Sequence, residues 1–340
     1  MSTASVWLVW LAFAACAAFI LFGGVWLTRY GHAIAEHTGL GGSWVGMVLL
    51  ATVTSLPELV TGMSAVAFAG APNIAVGDAL GSCVFNLAIV SVLDWLHRGE
   101  SLFDRADIGH LLSAAFGVML LAFVAFNLVL GTGPGAWSIG HVGLYTPVIV
   151  VFYALAMRIV YQHEKREMAR AAAGAARKGG VTLRQAILRY AGAAAIVLVA
   201  GTVLPFAGKA IAGAYGWNAS FVGTLLVAAA TSLPELVVTI AAVRIGALDM
   251  AIANLLGSNL FDMLIIAIDD LFYLPGPILA HVSPVHAASA LSAIVMTGAV
   301  MAGFVYRPKS RVLGSIGWAS VFLLAVYVLN SYLLFLRGGG

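Results

Sequence analysis

The sequence predicts an all-α polytopic membrane protein, with ten transmembrane helices arranged as two inverted five-helix repeats. Three observations predict it. First, 62% of the 340 residues are hydrophobic and only 9% are charged, against roughly 25% charged in a soluble domain. Second, apolar runs long enough for a helix of about 20 residues recur along the whole chain. Third, the two halves repeat the same polar motifs in the same order. With so few charges the chain cannot build a water-facing surface. A soluble enzyme, a disordered protein and a nucleic-acid binder are therefore excluded, and lipid is the expected surround.

The runs follow in order. The first, 6–28, has no basic segment before it and carries Arg29 behind it. That favours a membrane helix with an outside N-terminus over a cleaved signal peptide. The runs 42–69 and 73–96 are parted only by a short Gly/Pro break and hold the first set of polar motifs. The runs 108–130 and 141–161 complete a first repeat, 1–161. The stretch 162–185, QHEKREMARAAAGAARKGGVTLRQ, is basic and Ala-rich and reads as a partly helical cytoplasmic linker. The runs 186–214, 218–243, 248–272, 283–306 and 312–336 form the second repeat, 186–340.

Lysine and arginine counts set the orientation. With ten spans and the N-terminus outside, 15 of the 17 basic residues fall inside, and only Lys209 and Arg337 fall outside. Adding or losing a span would scramble that split. The reading therefore places both termini outside, the linker in the cytoplasm and the chain in the plasma (inner) membrane.

The internal repeat is direct. SWVGMVLLATVTSLPELVTGMSAV (43–66) matches SFVGTLLVAAATSLPELVVTIAAV (220–243), and AVGDALGSCVFNLAIV (75–90) matches AIANLLGSNLFDMLII (251–266). Five helices per half is an odd number, so the second half enters the membrane from the opposite side. Inverted repeats are an architecture of secondary transporters, whose sites lie at the repeat interface near the midplane.

T-S-L-P-E occurs at Thr54–Glu58 and again at Thr231–Glu235, each time in the middle of an apolar run. A carboxylate at that depth costs at least ~2.5 kcal/mol and marks a functional site by default. Pro57 and Pro234 have no N–H for the carbonyls of Val53 and Ala230. Glu58 shares a helix face with Thr54 and Ser55, and Glu235 with Thr231 and Ser232. Carboxylates, hydroxyls and loosened carbonyls form an all-oxygen environment suited to Ca2+ or Na+. A second element, G-S-x-x-F-[N/D], places Ser82 with Asn86 and Ser258 with Asp262, each pair four residues apart on one face. Gly81 and Gly257 permit close helix approach.

Together these motifs resemble the sodium/calcium exchangers of the cation/calcium antiporter superfamily. The α-repeats of that family carry a T-S-x-P-E helix followed by a G-S-N-x-x-[N/D] helix. The resemblance implies a Na+/Ca2+ antiporter, not an enzyme, that works by alternating access with competitive cation binding. It implies no cofactor beyond the transported Na+ and Ca2+, and a usual exchange of three Na+ for one Ca2+. Residue by residue, it implies Glu58 and Glu235 as central Ca2+ ligands and Thr54, Ser55, Thr231 and Ser232 as hydroxyl or carbonyl ligands. Ser82, Ser258, Asn86 and Asp262 match ligands on the flanking helices, and Ala51 and Ala228 match positions that lend carbonyls.

Two positions depart from the family pattern. Cys83 replaces the asparagine of G-S-N, and Asp78 replaces an asparagine four residues before Ser82. Asp78 either adds a negative charge near the site or bonds to a neighbouring helix at the cavity edge. Cys16 and Cys83 have no metal or disulfide spacing and read as buried apolar fillers. Asp94, Asp269 and Asp270 lie near helix ends and read as interfacial, Asp104 and Asp107 as loop residues, and the eight histidines mostly as loop or interface residues. Two alternatives stay open. One is the same fold driven by H+ or carrying another divalent cation. The other is an intramembrane hydrolase, disfavoured because no nucleophile–His pairing is evident.

Overall fold

The computed structural model describes residues 3–38, 51–96, 102, 109–130, 137–171, 181–244, 248–307, 311–312 and 316–337. Helix α1 (Thr3–Thr38) is followed by a broken pair, α2 (Ala51–Thr54) and α3 (Leu56–Ala67), then α4 (Pro72–Leu96) and α5 (His110–Leu130). A two-stranded hairpin, β1 (Ser138–Ile139) with β2 (Val142–Gly143), leads into α6 (Tyr145–Ala171). The second half runs through α7 (Leu183–Tyr215), α8 (Ala219–Phe221), a π-helical turn (Val222–Val227), α9 (Ala228–Thr231), α10 (Leu233–Arg244), α11 (Leu248–Phe272) and α12 (His286–Tyr306). A second hairpin, β3 (Arg311–Val312) with β4 (Ile316–Gly317), precedes α13 (Trp318–Arg337).

Seven helices among the described residues are long and apolar enough to cross a membrane, and the bent pair Ala219–Thr231 and Leu233–Arg244 makes eight if it is taken as one span. The remaining two expected spans are shorter here. Residues 42–50 lie outside the described residues, which leaves α2 and α3, and the apolar part of α6 covers only Tyr145–Val160. The expected start at 141 gives way to a hairpin, whose turn is made by Gly140 at φ 65°. A positive φ of that kind suits a residue without Cβ. The run at 312 likewise opens as a hairpin, and its helix begins at Trp318.

Helix boundaries have local causes. Thr182 caps α7 through a reciprocal box with Gln185, and Gly216 ends that helix in the left-handed conformation at φ 66°, each satisfying backbone groups that a helix end leaves orphaned. Of the linker, α6 carries the helix through Ala171 and α7 resumes at Leu183, while 172–180 lie outside the described residues.

Burial separates centre from periphery. The most apolar windows of α4 and α11 are 89% buried, against 22% for α13. Helices α1 and α7 pack along one another, with Gly23 against Val197, and Gly24 of α1 lies against the ring of Pro234 in α10. Trp7, Leu8, Leu11 and Phe19 of α1 point outward, as expected where the solvent is hydrocarbon. Helices α3, α4, α10 and α11 enclose the buried polar residues.

Candidate functional site

The two T-S-L-P-E segments break their helices at the same residue. Ser55 sits at φ −88°, ψ 10° between α2 and α3, and Ser232 at φ −85°, ψ 9° between α9 and α10. The second pair is bent by 44°. Proline cannot donate to the carbonyl four residues earlier, so the ladder yields there. The break aims the hydroxyl of each Ser away from its own helix.

Those hydroxyls cross between the halves. Ser232 Oγ donates to Glu58 Oε1 at 2.8 Å, and Ser55 Oγ donates to Glu235 Oε1 at 3.1 Å. The flanking helices close the group. Ser258 Oγ reaches Glu235 Oε1 at 3.4 Å, and Ser82 Oγ lies 3.0 Å from Ser232 Oγ. Thr231 Oγ1 donates to Asp78 Oδ1 at 2.9 Å, and Thr54 Oγ1 lies 3.4 Å from Asn254 Oδ1. Asn86 Nδ2 donates to Asn259 Oδ1 at 3.1 Å, and Cys83 Sγ to Asp262 Oδ2 at 3.5 Å. Glycine makes this approach possible: a Cβ on Gly81 would collide with the backbone of Thr224 and lie 2.8 Å from Ala228 Cβ.

Every predicted site residue is therefore brought into one buried cluster, with Ala51 and Ala228 as its backbone members. The Ala51 carbonyl accepts from Ser55 N (3.0 Å) and Thr54 Oγ1 (3.2 Å), and the Ala228 carbonyl accepts from Ser232 N (3.0 Å) and Thr231 Oγ1 (3.1 Å). Asp78, Asn254, Asn259 and Cys83 also belong to the cluster. Cys83 is buried as expected, but it is not an apolar filler, because its thiol faces a carboxylate. Asp78 is bonded to a neighbouring helix, in the cluster itself.

Glu58, Asp78, Glu235 and Asp262 are at most 1% exposed. Each leaves one carboxylate oxygen without a hydrogen-bond partner, as does Asn86 Oδ1. Among the described residues no Lys or Arg pairs with them. Among the described residues, too, no three His, Cys, Asp or Glu form a group that could hold a metal ion by themselves. The carboxylates alternate instead with hydroxyls and amides, a hard-oxygen mixture. Buried charge of one sign needs a counter-charge, and this shell can receive it as small cations.

Three other sequence expectations are corrected. Asp94, Asp269 and Asp270 are buried, at 1% exposure or less, not interfacial. Asp270 accepts from Gly143 N (2.8 Å), Tyr145 Oη (2.6 Å), Thr146 Oγ1 and Ile278 N (2.7 Å). Asp94 Oδ2 accepts from Gly317 N and Ser320 Oγ, both at 2.7 Å. Asp94 and Asp270 thus each tie the end of a central helix to a hairpin of the other half. His110 and His286 are buried as well, and His286 Nε2 lies 3.2 Å from Asn73 Oδ1. Asp104 and Asp107 lie outside the described residues.

Comparison with known proteins follows the same lines. The profile of the family described as "Sodium/calcium exchanger protein" matches residues 8–161 and 186–336. An uncharacterized membrane protein of Methanocaldococcus jannaschii is 28% identical over 244 residues, covering 72% of this chain and 75% of that one. A sodium/calcium exchanger of Methanosarcina acetivorans is 51% identical over 53 residues, 15% of each chain. Among solved structures, the sodium-calcium exchanger NCX_Mj soaked with 2.5 mM Na+ and 10 mM Sr2+ aligns with a TM-score of 0.60 at 23% identity, covering 95% of this chain and 98% of that one.

Proposed function

The chain belongs to the sodium/calcium exchanger protein family, and from that premise we propose that it is a secondary-active antiporter exchanging Na+ for Ca2+ by alternating access. Its family members are exchangers and not enzymes, which removes the hydrolase alternative. The observation that carries the reading is the crossed cluster: Glu58 accepts from Ser232 and Glu235 from Ser55, each across the two halves, while their outer oxygens stay unpartnered. The proposed cation ligands are Glu58, Glu235, Asp262, Asn86, Thr54, Thr231, Ser55, Ser232, Ser82 and Ser258, with the carbonyls of Ala51 and Ala228.

Electrostatics gives the exchange its logic. Carboxylates confined in a low-dielectric cavity repel strongly unless countered. Several Na+ neutralise them, and so does one Ca2+ with residual charge. Both loads together would overcharge the cavity, so occupancy alternates. The hydroxyls argue for Na+, because a dehydrated Na+ needs neutral oxygens around it and a proton does not. H+ is the second reading, and Asp78 favours it as a carboxylate where the matching position of the other half is the neutral Asn254.

The proposed architecture is ten transmembrane helices in two inverted five-helix repeats, 1–161 and 186–340, around the linker 162–185. It lies in the plasma (inner) membrane with both termini outside and the linker cytoplasmic. The basic-residue split and the reciprocal ties of Asp94 and Asp270 support it. The decisive experiment is Ca2+ uptake into Na+-loaded vesicles diluted into Na+-free buffer, with an ionophore clamping pH. Uptake is expected to follow the Na+ gradient. Uptake that ignores Na+ but follows an imposed pH gradient replaces this reading with Ca2+/H+ exchange.

A further inference from the structure

The internal repeat reaches two further pairs of residues. Asn73 and Asp249 stand two residues before the aligned segments 75–90 and 251–266, at matching positions near the starts of α4 and α11. His110 and His286 are the first residues of α5 and α12, each a helix of 21 residues. Each histidine meets the start of the central helix of the other half. His110 Nε2 lies 3.1 Å from Asp249 Oδ1, and His286 Nε2 lies 3.2 Å from Asn73 Oδ1. The two contacts are alike in place and unlike in charge. One sets an imidazole against a carboxylate, the other an imidazole against an amide.

They lie at opposite faces. The ring of His110 is 6.1 Å from that of Phe304, near the end of α12, while His286 begins that helix. The length of α12 between them is about 27 Å. Helix α3 ends at Ala67 and α4 begins at Pro72, whereas α10 ends at Arg244 and α11 begins at Leu248. Asn73 thus marks the α3–α4 face and Asp249 the α10–α11 face, which the proposed topology makes the cytoplasmic one. Next to His110 the helices meet in a dry layer, in which Leu112 and Phe116 of α5 pack with Val160 of α6 and Ala253 of α11. His110 is buried at the rim of that layer, and the side chain of Asp249 is 56% exposed. The imidazole is dry, but its partner is open to water.

Histidine is the side chain whose charge ordinarily changes between about pH 5 and 8. Protonation sets a cation against Asp249, and a charge-assisted hydrogen bond is about twice as strong as a neutral one. The contact is therefore strongest in mild acid and loses that gain as pH rises and the imidazole becomes neutral. The exposure of Asp249 keeps the gain small. At the other face an amide offers a protonated imidazole no charge. Asn73 Oδ1 also accepts from Ser283 N at 2.7 Å and from Ser220 Oγ at 3.4 Å, donors that do not titrate in this range. Around His110, α12 ends in Tyr306 and Arg307 and α6 carries Arg158, all three exposed, and α5 has no charged residue. Arg244, at the end of α10, is exposed as well. Arg98, Glu100, Asp104, Arg105 and Asp107, between α4 and α5, lie outside the described residues.

We propose that His110 and Asp249 form a pH-responsive clamp on the α10–α11 face, which in acid holds α11 against α5 and slows the exchange of access at the central cluster. Helix α11 carries Ser258, Asn259 and Asp262, so a hold on its start acts on the cluster through the helix. A tie that is tighter in one state deepens that state and slows a cycle that must leave it. The clamp rests on the exchanger reading for its role, but not for its response to pH. His286 and Asn73 tie α12 to α4 at the other face without that response. The two faces are thereby unequal, since acid tightens a clamp on one of them only.

The test lowers pH from about 8 to about 6 on one face at a time while Na+-driven Ca2+ flux is measured in oriented vesicles. Phe68, at the α3–α4 turn and 73% exposed, identifies that face when replaced by Cys and labelled with an impermeant reagent. Acid at the α10–α11 face is expected to slow the wild type about threefold more than acid at the Phe68 face. Asp249→Asn, which copies the residue of the other half, should abolish the difference, and His110→Gln should do the same while keeping a hydrogen-bond donor. Asn73→Asp should give the Phe68 face a slowing of its own. An equal response at both faces of the wild type, or a difference that persists in Asp249→Asn, overturns the proposal. Should the wild type move no Ca2+ at any pH, the exchanger reading fails, and thermal melting in detergent still decides the clamp. The Tm of the wild type should exceed that of Asp249→Asn by about 1–3 °C more at the acid pH than at the alkaline one. A gap that does not change with pH overturns the clamp.

Discussion

Ser55 and Ser232 each serve the glutamate of the other half, so each T-S-L-P-E motif is completed by its partner. A carboxylate that only tied helices together would tolerate an amide, because glutamine still hydrogen-bonds a serine. One that carries ion charge would not. Glu58→Gln and Glu235→Gln are each expected to lower Ca2+ transport about 100-fold or more while leaving folded protein in the membrane, since an uncompensated change of buried charge is worth upward of ~3 kcal/mol. Vesicle flux normalised to protein by size-exclusion measures this, and near-normal flux would refute the assignment. Asp262→Asn should be milder in shape, because Asn86 is its quasi-equivalent, and it should alter the Na+ dependence of transport. The motif residues were legible because spacing states which side chains share a helix face. Spacing does not say which face lies opposite, so the crossed serine–glutamate pairs were not. Asn254, Asn259 and the polar role of Cys83 were missed for the same reason, although the repeat alignment pairs Asp78 with Asn254 and Cys83 with Asn259 and carried the signal.

At the scale of elements, the apolar runs gave the long helices well and their starts poorly. A run does not distinguish the first turn of a helix from a two-residue strand that packs equally well, so the hairpins before α6 and α13 escaped notice. Their anchors were misjudged with them. Asp94 and Asp270 stand near helix ends, where an aspartate usually meets water, yet they are buried because each must satisfy the backbone N–H groups at a hairpin. Asp270→Ala removes the acceptor of four hydrogen bonds and should destabilise the protein by about 3 kcal/mol or more, the surviving donors being left dry. A fall in Tm in detergent measures it, and an unchanged Tm would show that the hairpin holds itself. Helix contact offers a cleaner pair. Gly81→Ala drives a methyl into the backbone of Thr224, whereas Gly117→Ala meets nothing within 4 Å. The first should cost about 1–3 kcal/mol and the second should be neutral or stabilising, in the same melting assay.

For the whole molecule, charge and repetition carry the argument jointly. The internal repeat holds two sets of matching elements, and α4 ties to the second hairpin through Asp94 as α11 ties to the first through Asp270. Reciprocity of that kind is what a two-fold relation between the halves would give, and in the proposed arrangement an odd number of crossings per half would make that relation an inversion across the membrane. The basic residues test the same count independently. Assigning 15 of 17 to one side depends on every span being counted, because removing one span would reverse the sidedness of all that follow it. In the proposed arrangement the even total would put the two termini together, and would put the linker, which follows the fifth proposed crossing, on the other side from both. Single cysteines at Ala172 and Gly338, on a background lacking Cys16 and Cys83, are therefore expected to react with an impermeant maleimide from opposite faces of the membrane, Gly338 in intact cells and Ala172 only after the membrane is opened. Labelling of both from the same side would leave an even number of crossings between them and would end the five-plus-five arrangement.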